Sequence, residues 1–396
     1  MKRIAVLGGG TGGLIVANLL ARNLRREIVK GEVDLMLFDK SNTYILEAGL
    51  LPYVAHAFDE EDLKYNKRTL LDPVIKYYTG PSGTITYIDL KNRKFKTQDG
   101  KEYSYDYLVI ALGCTYDISQ PPGLKDDYHT YYEFEKAKEL REMLERFTGG
   151  SIVQMVYMPD VPIKCPIASG KGPLLIDSYL SHVRRLRGKY MVTVVTTVDH
   201  LHAQPEVNKV LEERLRERGH TWIYNFEPSE VDPKKKEVIA TNGERVKYDL
   251  LITIPLHRGP EVIKKSEIGD PYGFLPGDRY TLTYRRGKEH YDEVYIVGDV
   301  ANIGVARAGA VAHYEAYVVA HNIASEVKGF GDKILFFGEV ICPYLETAYT
   351  PYDKGRAWMP WWTYAKNARP FVGTTWGWYL MRTYYLTIPL TLRGLI

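Results

Sequence analysis

A short apolar run, Ile4-Ala-Val-Leu7, passes without a spacer into Gly8-Gly-Gly-Thr-Gly-Gly13, and a helical pattern begins at Leu14. The run reads as a strand buried on both faces. The spacing Gly8-x-Gly10-x-x-Gly13 lets the backbone turn tightly, approach a pyrophosphate and pack helix on strand, with the phosphates at the helix N-terminus beside Thr11 and Gly12. Val33 to Phe38 predicts a second strand, closed by Asp39-Lys40 where an acid accepts hydrogen bonds from an adenosine ribose. Strand, loop, helix, strand and acid in this order predict an α/β dinucleotide-binding unit.

The rest of the 396 residues bounds what surrounds that unit. Their number predicts two domains and an appendage. Fifty-two basic against 49 acidic residues give a net charge of +3, too weak a field to argue for nucleic acid. Three cysteines, Cys114, Cys165 and Cys342, are too few and too scattered for a disulfide scaffold or a clustered metal site, so no metal is expected. Met1-Lys-Arg leads straight into the first strand without the apolar segment of a secretory signal.

Two later strands end in small-residue turns, Tyr105-Asp-Tyr-Leu-Val-Ile-Ala-Leu-Gly113 and Glu293-Val-Tyr-Ile-Val-Gly-Asp299. With the first loop they resemble the two-dinucleotide flavoprotein superfamily, whose FAD domain is interrupted by an insert. The resemblance implies two tandem Rossmann-like domains of the glutathione-reductase-like type: an FAD domain at 1–113 and 243–330, a second domain at 114–242, and a C-terminal region at 331–396. It also implies that the Gly113 turn lies at the FAD site and that Asp299, after Gly298, holds the ribityl chain.

The second domain is expected to begin with a strand at Ser151 to Tyr157 and to include another at Tyr190 to Thr196. Where a nicotinamide-using relative would carry a second glycine loop, the chain reads Met158-Pro-Asp-Val-Pro-Ile-Lys-Cys165-Pro166. Two prolines before the cysteine and no glycine remove the tight turn and the amides a pyrophosphate needs. This domain is expected to keep the fold and bind no nicotinamide. The C-terminal region is dense in Trp and Tyr from Trp358 to Tyr364 and from Trp376 to Ile388, near Arg369, Arg382 and Arg393. Read as a helix, the second stretch is apolar nearly all round but too short for a confident span. It suits a surface lying in the membrane interface, and a terminal helix docked on the core is the alternative.

Taken with Val161-Pro-Ile-Lys-Cys165-Pro166 and Gly338-Glu-Val-Ile-Cys342-Pro343, these features resemble the sulfide:quinone oxidoreductases and the related flavoprotein subunit of flavocytochrome c sulfide dehydrogenase over nearly the whole chain. The resemblance implies that Cys165 and Cys342 form a redox pair beside FAD, that sulfide attacks it, and that the electrons pass to a membrane quinone. A positive neighbour such as Lys164 would favour the attacking thiolate. His202, in Asp199-His-Leu-His202, matches a histidine assigned to proton transfer in some relatives. Arg307 matches a basic residue near the flavin's pyrimidine edge, where a fixed charge stabilises an anionic reduced flavin.

Cys114, directly after the Gly113 turn, reads as filling a gap, with an approach to the flavin as the alternative, and covalent flavin attachment from Tyr44-Ile-Leu-Glu47 is excluded because no thiol is there. A peripheral, monotopic membrane enzyme is therefore expected, with the membrane face and the oligomeric state, a homo-oligomer included, left open. A subunit passing electrons to a cytochrome, a type II NADH dehydrogenase, and a non-catalytic flavin-binding protein are the alternatives.

Overall fold

The computed structural model describes residues 1–158, 163–341, 344–345, 357–358, 361–364, 366–369, 372–373 and 387–396. Lys2–Leu7 is the first strand, and Ile4 to Leu7 are wholly buried, as a central parallel strand requires. It pairs in parallel with Val33–Asp39 on one side and Tyr107–Ile110 on the other. The six-stranded sheet runs Lys76–Thr79, Val33–Asp39, Lys2–Leu7, Tyr107–Ile110, Glu289–Ile296 and Thr283–Arg286, the last strand antiparallel.

Its register aligns the ends of the central strands. Leu7 is paired with Phe38 and with Ile110, and Ile110 with Ile296. The turns at Gly8, Gly113 and Gly298 and the end of the Asp39 strand therefore share the carboxyl edge of the sheet, where strand order reverses and α/β sheets bind ligands. The helices that follow two of these turns, Thr11–Asn23 and Gly309–Lys328, pack on each other.

The second sheet is four-stranded and wholly parallel, in the order Thr221–Ile223, Tyr190–Thr196, Gly150–Val156 and Leu250–Ile254. The strand at Tyr190–Thr196 is the expected one, and Gly150–Val156 begins one residue earlier than expected. Leu250–Ile254 belongs to the second sheet, tied to it by five register pairs from Ile152↔Leu250 to Val156↔Ile254. Two chain crossings join the units, and they pair with each other: Thr115–Asp117 lies antiparallel to Leu256–Arg258.

In the C-terminal region, Val340–Ile341, Trp361–Thr363 and Lys366–Arg369 form one small antiparallel sheet, and Tyr344–Leu345, Ala357–Trp358 and Val372–Gly373 form another. The first aromatic run is thus built into strands rather than a helix, consistent with its aromatic content and with Pro360 between its two strands. Most of the second run, 376–386, lies outside the described residues. A terminal helix at 387–392 docks on the first helix, where the buried Asn18 donates to the Leu70 and Leu392 carbonyls at 3.0 and 2.9 Å. Among the described residues, no helix is long and apolar enough to cross a membrane.

Candidate active site

The glycine loop is shaped by close backbone approach. Gly8 has φ +100°, and a Cβ placed on Gly13 would stand 1.8 Å from the Gly8 carbonyl oxygen. At Gly12 a Cβ would meet Val297 Cγ1 at 2.5 Å, at the crossing of the two helices. Gly10 differs, for nothing lies within 4 Å of its Cβ position. No side chain caps the helix that starts at Thr11, so its first-turn amides are left for a ligand anion.

Asp39 closes the far side of this cradle. Its carboxylate accepts from the Gly9 amide at 2.5 Å and the Ser41 amide at 2.7 Å, and it pairs with buried Lys67 at 2.8 Å. Thr11 Oγ1 lies 3.0 Å from the Tyr44 hydroxyl, and Lys40 is exposed. A glycine loop open at Gly10, an oriented acid and an uncapped helix start fit a dinucleotide pyrophosphate and ribose.

A second group of side chains gathers further along the same edge. Gly298 has φ +77°, and its amide donates to the buried Glu315 carboxyl at 2.5 Å. The next residue, Asp299, is largely buried; burial raises its carboxyl above the usual range although Lys164 acts in the opposite sense. Lys164 Nζ lies 3.9 Å from Asp299 Oδ2 and 2.5 Å from Glu47 Oε2. Burial works against the Lys164 charge, but the Glu47 carboxylate and its neighbours outweigh it and hold the ammonium protonated.

Cys114 joins the same group, its Sγ donating to Asp299 Oδ2 at 3.9 Å. Burial pushes its thiol up to about 12, opposed by the Lys164 charge. Cys114 is therefore part of the polar cluster and not only a filler of space.

Cys165 is brought to this cluster by its backbone. It has φ +51°, a left-handed conformation uncommon outside glycine and often found at functional sites. Its amide donates to the Arg307 carbonyl at 2.6 Å, and Lys164 and Arg307 form a parallel bridge. The helix Ala168–Ser178 begins just beyond it and directs its partially positive end toward this loop. Arg307 stacks its guanidinium on Phe274 at 3.8 Å and donates through Nε to the Asp299 carbonyl at 3.0 Å. One arginine thus ties the Gly298-Asp299 turn to the Cys165 loop.

The structure therefore gathers Cys165, Asp299, Arg307, Gly113 and Gly298 on one edge with Gly8 to Gly13 and Asp39. His202 lies on the loop after the strand Tyr190–Thr196, next to Leu201, whose carbonyl accepts from the Ser169 hydroxyl at 2.5 Å. It is buried, its Nδ1 accepts from the Gln204 amide at 3.1 Å, and burial lowers its imidazole to about 4. Cys342 lies outside the described residues. Sequence reasoning passed over Glu47, Tyr116, Tyr132 and His257. Only His257 carried a local signal, since Pro255-Leu-His257 follows the carboxyl end of a buried strand. Among the described residues, no group of three or more His, Cys, Asp and Glu could hold a metal ion.

The model of the pyridine nucleotide-disulphide oxidoreductase family matches residues 2–157. An NADH dehydrogenase-like protein of Mycobacterium tuberculosis is 30% identical, over 71% of this chain and 69% of its own. The chain belongs to the pyridine nucleotide-disulphide oxidoreductase family. It is a homologue of the sulfide:quinone oxidoreductases: the mitochondrial enzyme of Dictyostelium discoideum is 24% identical over 359 residues, covering 88% of this chain and 76% of that one. The structure of the sulfide:quinone oxidoreductase from Aquifex aeolicus superposes with a TM-score of 0.83 at 21% identity, covering 100% of this chain and 92% of that one. The α/β fold with parallel sheets is the expected one, and the family member is an oxidoreductase and an FAD-binding flavoprotein.

Proposed function

We propose that this flavoprotein oxidises sulfide at Cys165 and passes two electrons through FAD to a membrane quinone. The observation that carries the reading is the Lys164–Cys165 loop. It is bridged to Arg307 at the edge where Asp299, Gly113 and the glycine loop converge. The names of the curated relatives supply the substrate and the acceptor.

In this reading Cys165 and Cys342 are the redox pair. Hydrosulfide attacks the disulfide between them, leaving a persulfide on one cysteine and a thiolate on the other. Bound FAD supplies a two-electron acceptor next to the pair. Re-formation of the sulfur bridge gives up two electrons; the sulfur leaves at the zero-valent level, and quinone takes the electrons with two protons. Gly8 to Gly13, Asp39 and Asp299 would hold the cofactor, and Lys164 and Arg307 place positive charge near it.

The second domain supports sulfur rather than NADH as the reductant. The glycines of the helix Ala168–Ser178, which follows the strand Gly150–Val156, are used for packing: a Cβ on Gly172 would meet Gln154 Oε1 at 2.5 Å and the Tyr131 hydroxyl at 2.6 Å, and one on Gly170 would meet Leu211 at 2.5 Å. No glycine loop precedes this helix, because residues 158–166 contain no glycine, so the tight turn and the amides that a pyrophosphate needs are not supplied. Peripheral membrane attachment through the C-terminal region belongs to the same proposal; exposed Phe330, Leu335 and Phe337 on the segment leading into it favour that reading. A homo-oligomer is compatible with it.

The test is steady-state reduction of decylubiquinone by the purified FAD-loaded protein. Turnover with sulfide and none with NADH is expected. Turnover with NADH alone would replace this reading with that of an NADH dehydrogenase.

A further inference from the structure

All four backbone polar atoms of the Lys164–Cys165 dipeptide are engaged. The Lys164 amide donates to His257 Nε2 at 3.2 Å, and the Lys164 carbonyl accepts from the Tyr132 hydroxyl at 2.7 Å. The Cys165 amide donates to the Arg307 carbonyl, and the Cys165 carbonyl accepts from the Ala168 amide at 2.8 Å. Two of these four partners are side chains from elsewhere in the chain. His257 comes from one crossing between the two units, and Tyr132 from the segment before the second domain's first strand.

His257 is well suited to accept. Its Nδ1 lies 2.8 Å from the Pro255 carbonyl, which only accepts, so Nδ1 carries the proton and Nε2 presents its lone pair to Lys164. The ring is fully buried, with Tyr116 and Tyr132 edge-on to it at 5.0 and 5.4 Å. Burial, with Lys164 and Arg307 adding to it, lowers the imidazole to about 3, so the acceptor persists over the whole working pH range.

We propose that His257 and Tyr132 are positioning residues that grip the Lys164 peptide from both sides and thereby hold Cys165 in its left-handed conformation at the site. Neither needs to touch substrate. Their effect is on where the sulfur stands, and a misplacement of about 1 Å in such a reaction costs about 100-fold in rate. The inference rests on the assignment of Cys165 as the reacting cysteine.

The test compares FAD-loaded wild type with His257→Phe, His257→Gln, Tyr132→Phe and Cys165→Ser. Two readouts are followed anaerobically: the rate of flavin bleaching by sulfide, and the long-wavelength charge-transfer band between thiolate and flavin. His257→Phe keeps an aromatic ring but no acceptor, and a loss of about 100-fold with a weakened band is expected. His257→Gln restores an acceptor and should recover most of the rate. Tyr132→Phe removes one hydroxyl, with a loss of about tenfold expected, and it carries the test if the Phe variant does not fold. Bleaching by dithionite and FAD content should match wild type throughout. Wild-type rates and bands in both His257→Phe and Tyr132→Phe would overturn the positioning role. Unchanged bleaching in Cys165→Ser would instead overturn the assignment of Cys165, a distinct outcome.

Discussion

Replacing Glu315 by Gln should stabilise the protein by an amount that grows with pH. Glu315 is 1% exposed, and its carboxyl accepts the Gly298 amide that shapes the turn before Asp299. Burial, with the nearby Asp299 in the same direction, raises its pKa from 4.5 to about 8, against the Gly298 hydrogen bond, which favours the anion. An acid whose folded pKa is raised binds more protons in the native state, so its contribution to stability falls as pH rises from 4.5 to about 8. At about 1.4 kcal/mol per pH unit, the loss reaches about 3 kcal/mol by pH 7. Gln keeps an oxygen for the Gly298 amide and has no proton to lose. Taking an unfolding entropy of about 2.1 cal/mol/K per residue over this chain, about 3 kcal/mol corresponds to about 4 °C in Tm. Thermal unfolding of both FAD-loaded proteins from about pH 5 to about pH 9 measures the gap. It should be small at pH 5, widen steadily, and level off above pH 8. A gap independent of pH would refute the reasoning, as would a variant less stable than wild type at pH 8.

Three further outcomes follow from the same contacts. Gly13→Ala sets a Cβ 1.8 Å from the Gly8 carbonyl oxygen, so the loop must open; the flavin-to-protein absorbance ratio should fall at least about tenfold after purification. Cys114, with its thiol pushed up to about 12, should resist iodoacetamide at pH 8 in the native protein and react once unfolded, as peptide mapping would show. Asn18→Ala leaves the Leu70 and Leu392 carbonyls without their donor and the Asp72 amide without its acceptor, and should cost about 2–4 kcal/mol by urea unfolding.

The parts of this site that are legible in the sequence are those set by local backbone demands. Gly8, Gly12 and Gly13 are required by approaches of backbone or side chain that exclude a Cβ, so their spacing alone identifies the loop. Asp39 and Gly298-Asp299 are legible because each ends a strand of fixed register. What escapes depends on pairing between distant segments. Leu250–Ile254 looks like any buried strand, and only hydrogen bonding to Gly150–Val156 decides its sheet. Lys67 is unremarkable in its own segment and acquires meaning only opposite Asp39. Cys114 looks inert until folding sets it against Asp299, within the field of Lys164. Glu47 stands out in its own segment only for not being a thiol, yet it pairs with the lysine next to Cys165.

The central claim is that sulfide delivers electrons to the flavin through Cys165. It is tested most directly by titrating the FAD-loaded protein with sulfide anaerobically, beside Cys165→Ser, while recording the flavin spectrum. The account predicts a charge-transfer band and then full bleaching at about one sulfide per flavin in the wild type, with no bleaching in the variant. A flavin that stays oxidised in excess sulfide, yet is bleached by NADH, would contradict it.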